Sequence, residues 1–509
     1  MKVFLMFADR DFDVAAEEPA NAADLVQDLE LDTLWAAMAG ADPVVLAAAR
    51  AALLAPLPDP DRIRYRQAVL NDALHHSAVV RELYDLAGEA IAAEKSVFRS
   101  FFSVRPETLL AQSVRILEAL IAVLRRLRRL ADDHAHEFRS AGFGAFFDRV
   151  FAELDDGWFR AADTHLRRLA FKDGLLLSAR LGGGNRGTDL VLRRPHEDNR
   201  TLLHRTAIKR PNYSFSIPDR DEAGFQALGD LRDRVLDDVA NAAAQAADHV
   251  RSFFTALRDE VGFLVGCLTL ADTLTGMGQP LSFPGPAAGG TALAVDDLRE
   301  PCLALRTDGR TVGTTVRTGP AGLVVITGAN RGGKSTFLRA LGNAQLMMQA
   351  GMYVTAASFA APAATAVFTH YKREEDTAMR SGKLDEELAR MRTITDHVRA
   401  GGLLLCNESF AATNEREGAD IAAGIVHALL DAGVRVAYVT HNYGLAHGLY
   451  EQHAGLFLRA GRESDGHRTY RLAPGAPLPT SYGHDLYERV FGPDAVPEPV
   501  PADPPAATA

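Results

Sequence analysis

Residues 328–336 form a glycine-rich run that ends in lysine, serine and threonine, a combination suited to binding phosphate. The spacing is G-x-x-x-x-G-K-S, and its glycines let backbone N–H groups approach the β- and γ-phosphates of a nucleotide closely. Lys334 adds a mobile positive charge, and the Ser335 hydroxyl is placed to ligate Mg²⁺. The residues expected to bind nucleotide here are Gly328, Asn330, Gly332, Gly333, Lys334, Ser335 and Thr336.

Two later apolar runs end in polar residues that would complete such a site. Leu403–Cys406 is followed by Asn407 and Glu408, and Val434–Val439 by Thr440 and His441. We expect the first run to be a strand beside the phosphate-loop strand, with Glu408 orienting or deprotonating the attacking water. His441 could bond the γ-phosphate or the water, or could simply be a capping or core histidine. The predicted catalytic residues are Lys334, Glu408 and His441, and the predicted metal ligands are Ser335, Asn407 and Glu408.

Alternating strand and helix signals position these groups. Leu323–Thr327 is an apolar β-branched run that leads into the loop, and helical spacing begins at Phe337. Gly351 is a natural helix stop, residues 353–355 predict a short strand, and residues 381–398 predict another helix. This alternation predicts an α/β sheet over 291–490.

The first half of the chain has few strand signals. Apolar residues recur at helical spacing from Pro106 onward, and Leu231–Leu274 is helical again. The predicted fold class is therefore α plus α/β, a helical core and lever region followed by a P-loop domain. The predicted divisions are a helical region (1–105), a helical lever and core domain (106–290), the ATPase domain (291–490) and a disordered Pro/Ala tail (491–509).

Residues 176–214 differ in composition and residue pattern from the predicted helices on either side of them. Leu176–Arg180 and Thr188–Leu192 are strand-like and flank a glycine-rich turn, which predicts a β-hairpin. Basic residues outnumber acidic ones here, although the whole chain carries a net charge of −11. A phosphate-contacting surface and a face that pairs with acidic helices of the same domain explain this equally well. The predicted DNA contacts are Arg186, Arg193, Arg194, Lys209 and Arg210.

Cysteine usage and hydropathy bear on the compartment. Cys267, Cys302 and Cys406 are far apart in apolar surroundings, which favours reduced thiols over disulfides or a zinc site. The longest apolar run, Val261 to Ala271, is too short to span a bilayer. We expect a cytoplasmic, nucleoid-associated protein without a membrane partner.

Several of these segments together resemble the MutS family of mismatch-repair ATPases. The similar segments are 58–67, Ile326–Thr336, Gly351–Val354, Ser381-Gly382, Glu408 with Thr413 and Gly418, Thr440-His441 and Ser481-Tyr482-Gly483. The resemblance is specific over about 295–490, weaker over about 50–80 and 255–275, and thin between those. It implies an ABC-type P-loop domain that binds ATP and Mg²⁺. It also implies a DNA-binding homodimer in which Ser381 of one chain completes the site of the other.

The chain also departs from the family pattern. Asn407 replaces an aspartate, which implies slow turnover because a negative charge near the metal is lost. Residues 409–412 replace a glycine-rich run, and Thr314 replaces an asparagine near the adenine. The mismatch-reading domain has no counterpart, so we expect DNA to be recognised by shape and phosphate.

The resulting hypothesis is a dimeric, ATP-hydrolysing clamp in DNA repair or DNA-structure processing, with a possible repair-protein partner. The alternative is a nucleotide-gated scaffold that regulates a protein or RNA partner with little turnover. The net negative charge and Asn407 favour the scaffold, whereas the basic hairpin and the family pattern favour DNA. A small-molecule kinase is disfavoured by the spacing of the motifs after the loop.

Overall fold

The computed structural model describes residues 1–97, 105–172, 174–185, 187–194, 214, 216–287, 292–318, 322–373, 382–463 and 468–480. It is a mixed α/β structure that divides into two compact units. The first unit contains Met1–Leu5 and His76–Val261, and the second contains Met6–His75 and Gly262–Ala509. The limits of these two units differ from the domain boundaries predicted from the sequence, and those boundaries remain predictions. Among the described residues, no helix has both the length and the apolar character needed to cross a bilayer.

The described residues form α-helices and β-strands, numbered here in chain order. The helices are α1 (Ala22–Leu29), α2 (Leu31–Ala39), α3 (Pro43–Leu54), α4 (Pro60–His75), α5 (Ser77–Val97), α6 (Pro106–His134), α7 (Ala141–Glu153), α8 (Asp156–Leu169), α9 (Glu222–Gly276), α10 (Pro301–Arg306), α11 (Lys334–Gln349), α12 (Lys383–His397), α13 (Glu415–Asp431) and α14 (Tyr443–Gln452). The strands are β1 (Leu176–Leu181), β2 (Gly187–Arg193), β3 (Gly285–Ala287), β4 (Ala294–Leu298), β5 (Thr314–Arg317), β6 (Leu323–Gly328), β7 (Ser358–Pro362), β8 (Val367–Tyr371), β9 (Leu403–Asn407), β10 (Arg435–Val439), β11 (Leu456–Arg462) and β12 (Arg468–Pro474).

The first unit is built mainly of helices. The long helix predicted from Pro106 is confirmed as α6, and its apolar stripe is buried, including Leu110, Leu117 and Leu124. Helices α5, α7 and α8 pack on α6 because that stripe needs apolar partners. Strands β1 and β2 pair antiparallel, with Leu177 opposite Leu192.

The second unit contains a six-stranded sheet in the order β12-β11-β6-β10-β9-β8. Its strands from β11 to β8 are parallel, and β12 pairs antiparallel with β11. The expectation that the strand before Glu408 lies beside the phosphate-loop strand is wrong, because β10 pairs with both β6 and β9. The physical reason is burial: Val436–Val439 is buried throughout, so β10 is stabilised at a central position with neighbours on both edges.

A smaller four-stranded sheet, β3-β7-β4-β5, belongs to the same unit. Residues 353–355 do not form the predicted strand, since only Val354 makes an isolated bridge, to Ser282. Tyr353 instead donates its hydroxyl to the Cys267 carbonyl at 2.6 Å, and the Thr355 hydroxyl donates to the Arg299 carbonyl at 2.6 Å. The segment looks strand-like in sequence because its apolar residues are buried, although they do not extend a ladder.

Candidate functional site

The candidate site lies where β6, β10 and β9 end. Val439 is level with Ile326 on one side and with Asn407 on the other, so the three parallel strands stop at the same edge of the sheet. The Thr440 N–H donates to the Ile326 carbonyl at 3.1 Å, and the Glu408 N–H donates to the Val439 carbonyl at 2.9 Å. These backbone bonds bring the glycine-rich loop, the Asn-Glu pair and the Thr-His pair together.

The glycines of the loop are required by close backbone contacts. Gly328 has φ 103, and a Cβ there would lie 2.8 Å from the Ala460 nitrogen. A Cβ on Gly332 would lie 2.8 Å from the Ala329 carbonyl oxygen. Gly333, with φ 91, precedes α11 and has no side chain to cap it. The first N–H groups of α11 therefore have no side-chain cap, which leaves them available to an anion.

Lys334 is buried and folds back along the loop. Its ammonium donates to the carbonyls of Gly328 at 3.0 Å and Ala329 at 3.1 Å. Burial lowers the pKa of Lys334, and the nearby Glu408 carboxylate partly opposes that effect. An anion beside this ammonium would further favour its charged form.

Ser335 and Asn407 join the loop to the end of β9. The Ser335 hydroxyl donates to Asn407 Oδ1 at 2.9 Å. Both oxygens are hard ligands of the kind that Mg²⁺ accepts, and they meet beside the first turn of α11. The donor set therefore fits a magnesium ion held by a hydroxyl and a neutral amide, with one negative charge fewer than an aspartate would supply.

Glu408 and His441 form a hydrogen-bonded pair at the same edge. His441 Nδ1 lies 3.3 Å from Glu408 Oε1. Hydrogen bonding to His441 lowers the pKa of Glu408, and hydrogen bonding to Glu408 raises the pKa of His441. The pair therefore favours a carboxylate at position 408, the form that a general base needs.

Asn330 and Thr336 lie at the two ends of the loop. The Asn330 carbonyl accepts a hydrogen bond from Arg468 Nε at 3.3 Å, and Asn330 itself is exposed. Thr336 lies on the first turn of α11 and lines a cavity. Ser381, the remaining residue predicted to bind nucleotide, lies outside the described residues.

A cavity of about 400 Å³ opens beside the start of α11. Gly333, Thr336 and Phe337 line one side, and Thr314 and Tyr470 also contribute to its wall. Its volume lies within the range of small-ligand pockets, and its mixed apolar and polar wall suits a nucleoside. Thr314 is the residue that the sequence placed near the adenine.

Sequence reasoning missed Arg468 and Tyr470. Both lie on β12, which pairs with β11 at the edge of the sheet, and Tyr470 has φ 56. No motif marks this strand, so only the pairing of β11 with β6 shows that it approaches the loop.

Two family models match the chain: the MutS2 N-terminal domain over residues 58–277 and MutS domain V over residues 324–496. The Endonuclease MutS2 of Anaeromyxobacter sp. (strain Fw109-5) is 28% identical over 324 residues, which cover 58% of this chain and 40% of that protein. The DNA mismatch repair protein MutS of Synechococcus sp. (strain CC9605) is 31% identical over 216 residues, which cover 40% of this chain and 24% of that protein. The chain belongs to the MutS family.

The resemblance inferred from the motifs is thus confirmed at the level of the MutS family. The MutS2 N-terminal match also crosses residues 80–255, where the motifs alone gave little signal. The matched segments correspond to 40% and 24% of these two relatives, so the chain spans less than half of their length.

The basic residues predicted to contact DNA are only partly described in this MutS-family chain. Arg193 Nε donates to Ser178 Oγ at 2.8 Å across the β1–β2 pair, and Arg194 follows β2. Arg180 lies 3.7 Å from Asp189, so one basic residue of the pair of strands already has an acidic neighbour. Arg186, Lys209 and Arg210 lie outside the described residues.

The Glu408–His441 pair leads to a prediction about protonation. Replacing Glu408→Gln should lower the pKa of His441, because glutamine keeps the shape of the side chain but removes the negative charge. In the wild-type protein the imidazolium should persist above the ordinary histidine pKa of about 6.5, and in the variant it should titrate closer to that value. NMR titration of ¹³C-labelled histidine measures this directly.

Glu451→Gln is the matched control, since it removes the carboxylate that lies 3.6 Å from His447 instead. That control should leave the His441 titration unchanged. Equal His441 titration curves in the wild-type protein and in Glu408→Gln would show that the pair does not form.

Proposed function

We propose that this MutS-family chain is an ATP-binding, ATP-hydrolysing and DNA-binding protein that acts in DNA repair or DNA-structure processing. The observation that carries the proposal is the meeting of three groups at one sheet edge. These are the glycine loop at the start of α11, the Ser335–Asn407 hydrogen bond and the Glu408–His441 pair. Together they offer a phosphate cradle, metal ligands and a carboxylate base.

ATP would place its phosphates against the first N–H groups of α11 and against Lys334. The Lys334 ammonium would exchange its bonds with the Gly328 and Ala329 carbonyls for phosphate oxygens. Ser335 and Asn407 would hold Mg²⁺, which supplies charge neutralisation on the phosphates. The nucleoside would occupy the cavity between Thr336, Thr314 and Tyr470.

Hydrolysis would depend on Glu408 and His441. The Glu408 carboxylate would orient the attacking water and accept its proton, while His441 would donate a hydrogen bond to the γ-phosphate. The mutual stabilisation of their charged forms supports these two roles. As the MutS resemblance implies, two chains would pair so that Ser381 of one chain completes the other's site.

DNA is the proposed partner because of the family and because of the local charge. The relatives described above are named for DNA mismatch repair and as an endonuclease. On an acidic chain, the basic residues around β1 and β2 are the best candidates for phosphate contacts. We propose that the chain recognises duplex or branched DNA by its shape and phosphates.

A nucleotide-gated scaffold is the second candidate, and Asn407 is the observation that favours it. With an amide in the place of a carboxylate, the site would bind the metal less tightly and turn over slowly. ATP binding would then regulate docking to a protein or RNA partner.

Steady-state ATP hydrolysis with homoduplex, mismatched and branched DNA tests the main proposal. We expect stimulation by at least one DNA and loss of activity in Glu408→Ala, because that variant lacks the base. The best stimulator would identify the preferred DNA structure. If the protein binds ATP but no DNA changes its rate of ATP hydrolysis, the proposal of a DNA-responsive ATPase is refuted and the scaffold is favoured.

Asn407→Asp tests the metal ligands. Restoring a carboxylate beside Ser335 should lower the Mg²⁺ concentration that half-saturates ATP binding by on the order of tenfold. A fluorescent ATP analogue titrated with Mg²⁺ gives this value. Asn414→Asp is the matched control, because the Asn414 side chain caps α13 by accepting from the Arg416 N–H. An equal effect in both variants would mean that general charge, and not a ligand at 407, is responsible.

The basic segment can be tested through the salt dependence of DNA binding. Replacing Arg193, Arg194, Lys209 and Arg210 together with alanine should flatten the slope of log K against log salt by up to about 3–4 if all four contact phosphates. Replacing four exposed arginines elsewhere, Arg62, Arg392, Arg399 and Arg416, is the control for net charge. An unchanged slope in the fourfold variant would exclude this segment from DNA binding.

A further inference from the structure

The loop after Glu408 has a backbone conformation that its residues rarely adopt. Glu408 has φ 54 and Phe410 has φ 61, both in the left-handed region. The residues that follow Glu408 are Ser409, Phe410, Ala411 and Ala412, so the loop contains no glycine here. Without glycine, such a conformation persists only where the surroundings hold it in place.

His370, near the end of β8, holds Ser409. The Ser409 oxygen lies 2.7 Å from His370 Nδ1 and 2.8 Å from the His370 carbonyl oxygen, so its hydrogen can reach either acceptor. Burial lowers the pKa of His370 to about 4, which leaves the ring neutral at pH 7. Its Nε2 lies 3.0 Å from the Glu387 carbonyl oxygen and therefore carries the ring hydrogen, so Nδ1 can accept from Ser409.

Phe410 is held from two sides. Its ring stacks on the His370 ring, with 5.3 Å between centroids and an interplanar angle of 26°. Only 2% of its surface is exposed. Gly418 of α13 lies against its backbone, and a Cβ at that glycine would lie 2.5 Å from the Phe410 carbonyl oxygen.

Glu387 of α12 joins the same cluster. Its carbonyl accepts from His370, and its side chain is buried. Burial raises the pKa of Glu387, and the backbone N–H of Ala412, the charges of Lys372 and Arg390 and the backbone N–H of Phe410 oppose that rise. Tyr438 of β10 adds a further bond by donating its hydroxyl to the Ser409 carbonyl at 2.9 Å. The loop is thus held by contacts from β8, β10 and α13, and α12 fixes the His370 ring.

We propose that His370, Glu387, Ser409 and Phe410 form a loop clamp that positions Glu408 for water activation. This inference rests on the proposed ATP hydrolysis and adds positioning residues to it. A general base must be aligned with its water to within a fraction of an ångström, and a flexible loop would lose that alignment. The clamp replaces the conformational freedom of glycine with a single fixed conformation, to which Glu408 belongs.

Two alanine substitutions in α13 separate the clamp from general effects on the helix. Gly418→Ala forces the Phe410 carbonyl to move, whereas Gly424→Ala, in the same helix, places a Cβ where nothing lies within 4 Å. Ser409→Ala removes the hydroxyl bonded to His370 without adding bulk. Each full-length variant is assayed for ATP hydrolysis, for nucleotide Kd and for hydrogen exchange of the peptide containing residues 408–412.

We expect Gly418→Ala and Ser409→Ala to lower kcat by at least about tenfold while nucleotide Kd stays within about twofold, because the loop moves and the phosphate cradle does not. Exchange over 408–412 should become faster in these two variants, and Gly424→Ala should match the wild type throughout. If Gly418→Ala does not fold, Ser409→Ala decides.

Two results would overturn the clamp. One is a kcat and an exchange rate equal to those of the wild type in both Ser409→Ala and Gly418→Ala. The other is a fall in kcat accompanied by an equal fall in nucleotide affinity, which would indicate a general structural role. If the wild-type protein shows no hydrolysis that depends on Glu408, the proposed function fails. The exchange data alone then decide whether the four residues hold the loop.

Discussion

The hydrogen bond from Ser335 to Asn407 links the first turn of α11, which follows the phosphate loop, to the end of β9, the strand that precedes Glu408. It can form only because β6, β10 and β9 are parallel and end at the same level. A register shift of one residue in either pairing would move Asn407 away from the start of α11 and turn its side chain to the other face. The register of β10 with its two neighbours is therefore the constraint on which the rest of the site depends.

That constraint also sets the charge balance of the site. His441, Lys334 and Lys372 all lower the pKa of Glu408, and Glu408 in turn raises the pKa of His441. Asn407 contributes polar atoms without charge. The proposed site would thus combine metal ligands and a phosphate cradle with a lower negative charge than an Asp-Glu pair would give.

The backbone is strained at the proposed base and in the loop that follows it. Glu408 and Phe410 have positive φ, and buried contacts from several elements surround the loop that they begin. Backbone strain of this kind is stored where packing over-determines it, which is common at sites that need a side chain held in one orientation. The cavity beside the start of α11 is lined by Thr314 of the four-stranded sheet and by Tyr470 of the six-stranded sheet, so both sheets contribute to the site.

The sequence by itself determined the local features: the glycine loop between an apolar strand and a helix, the long amphipathic helix from Pro106, and the family. These follow from spacing and periodicity, which neighbouring residues in the chain carry. Tertiary structure decided that β10 separates β6 from β9, that residues 353–355 are not a strand, and that His370 and Tyr470 approach the site. Strand order and contacts between distant residues depend on competition for burial across the whole unit, and no local pattern records that competition.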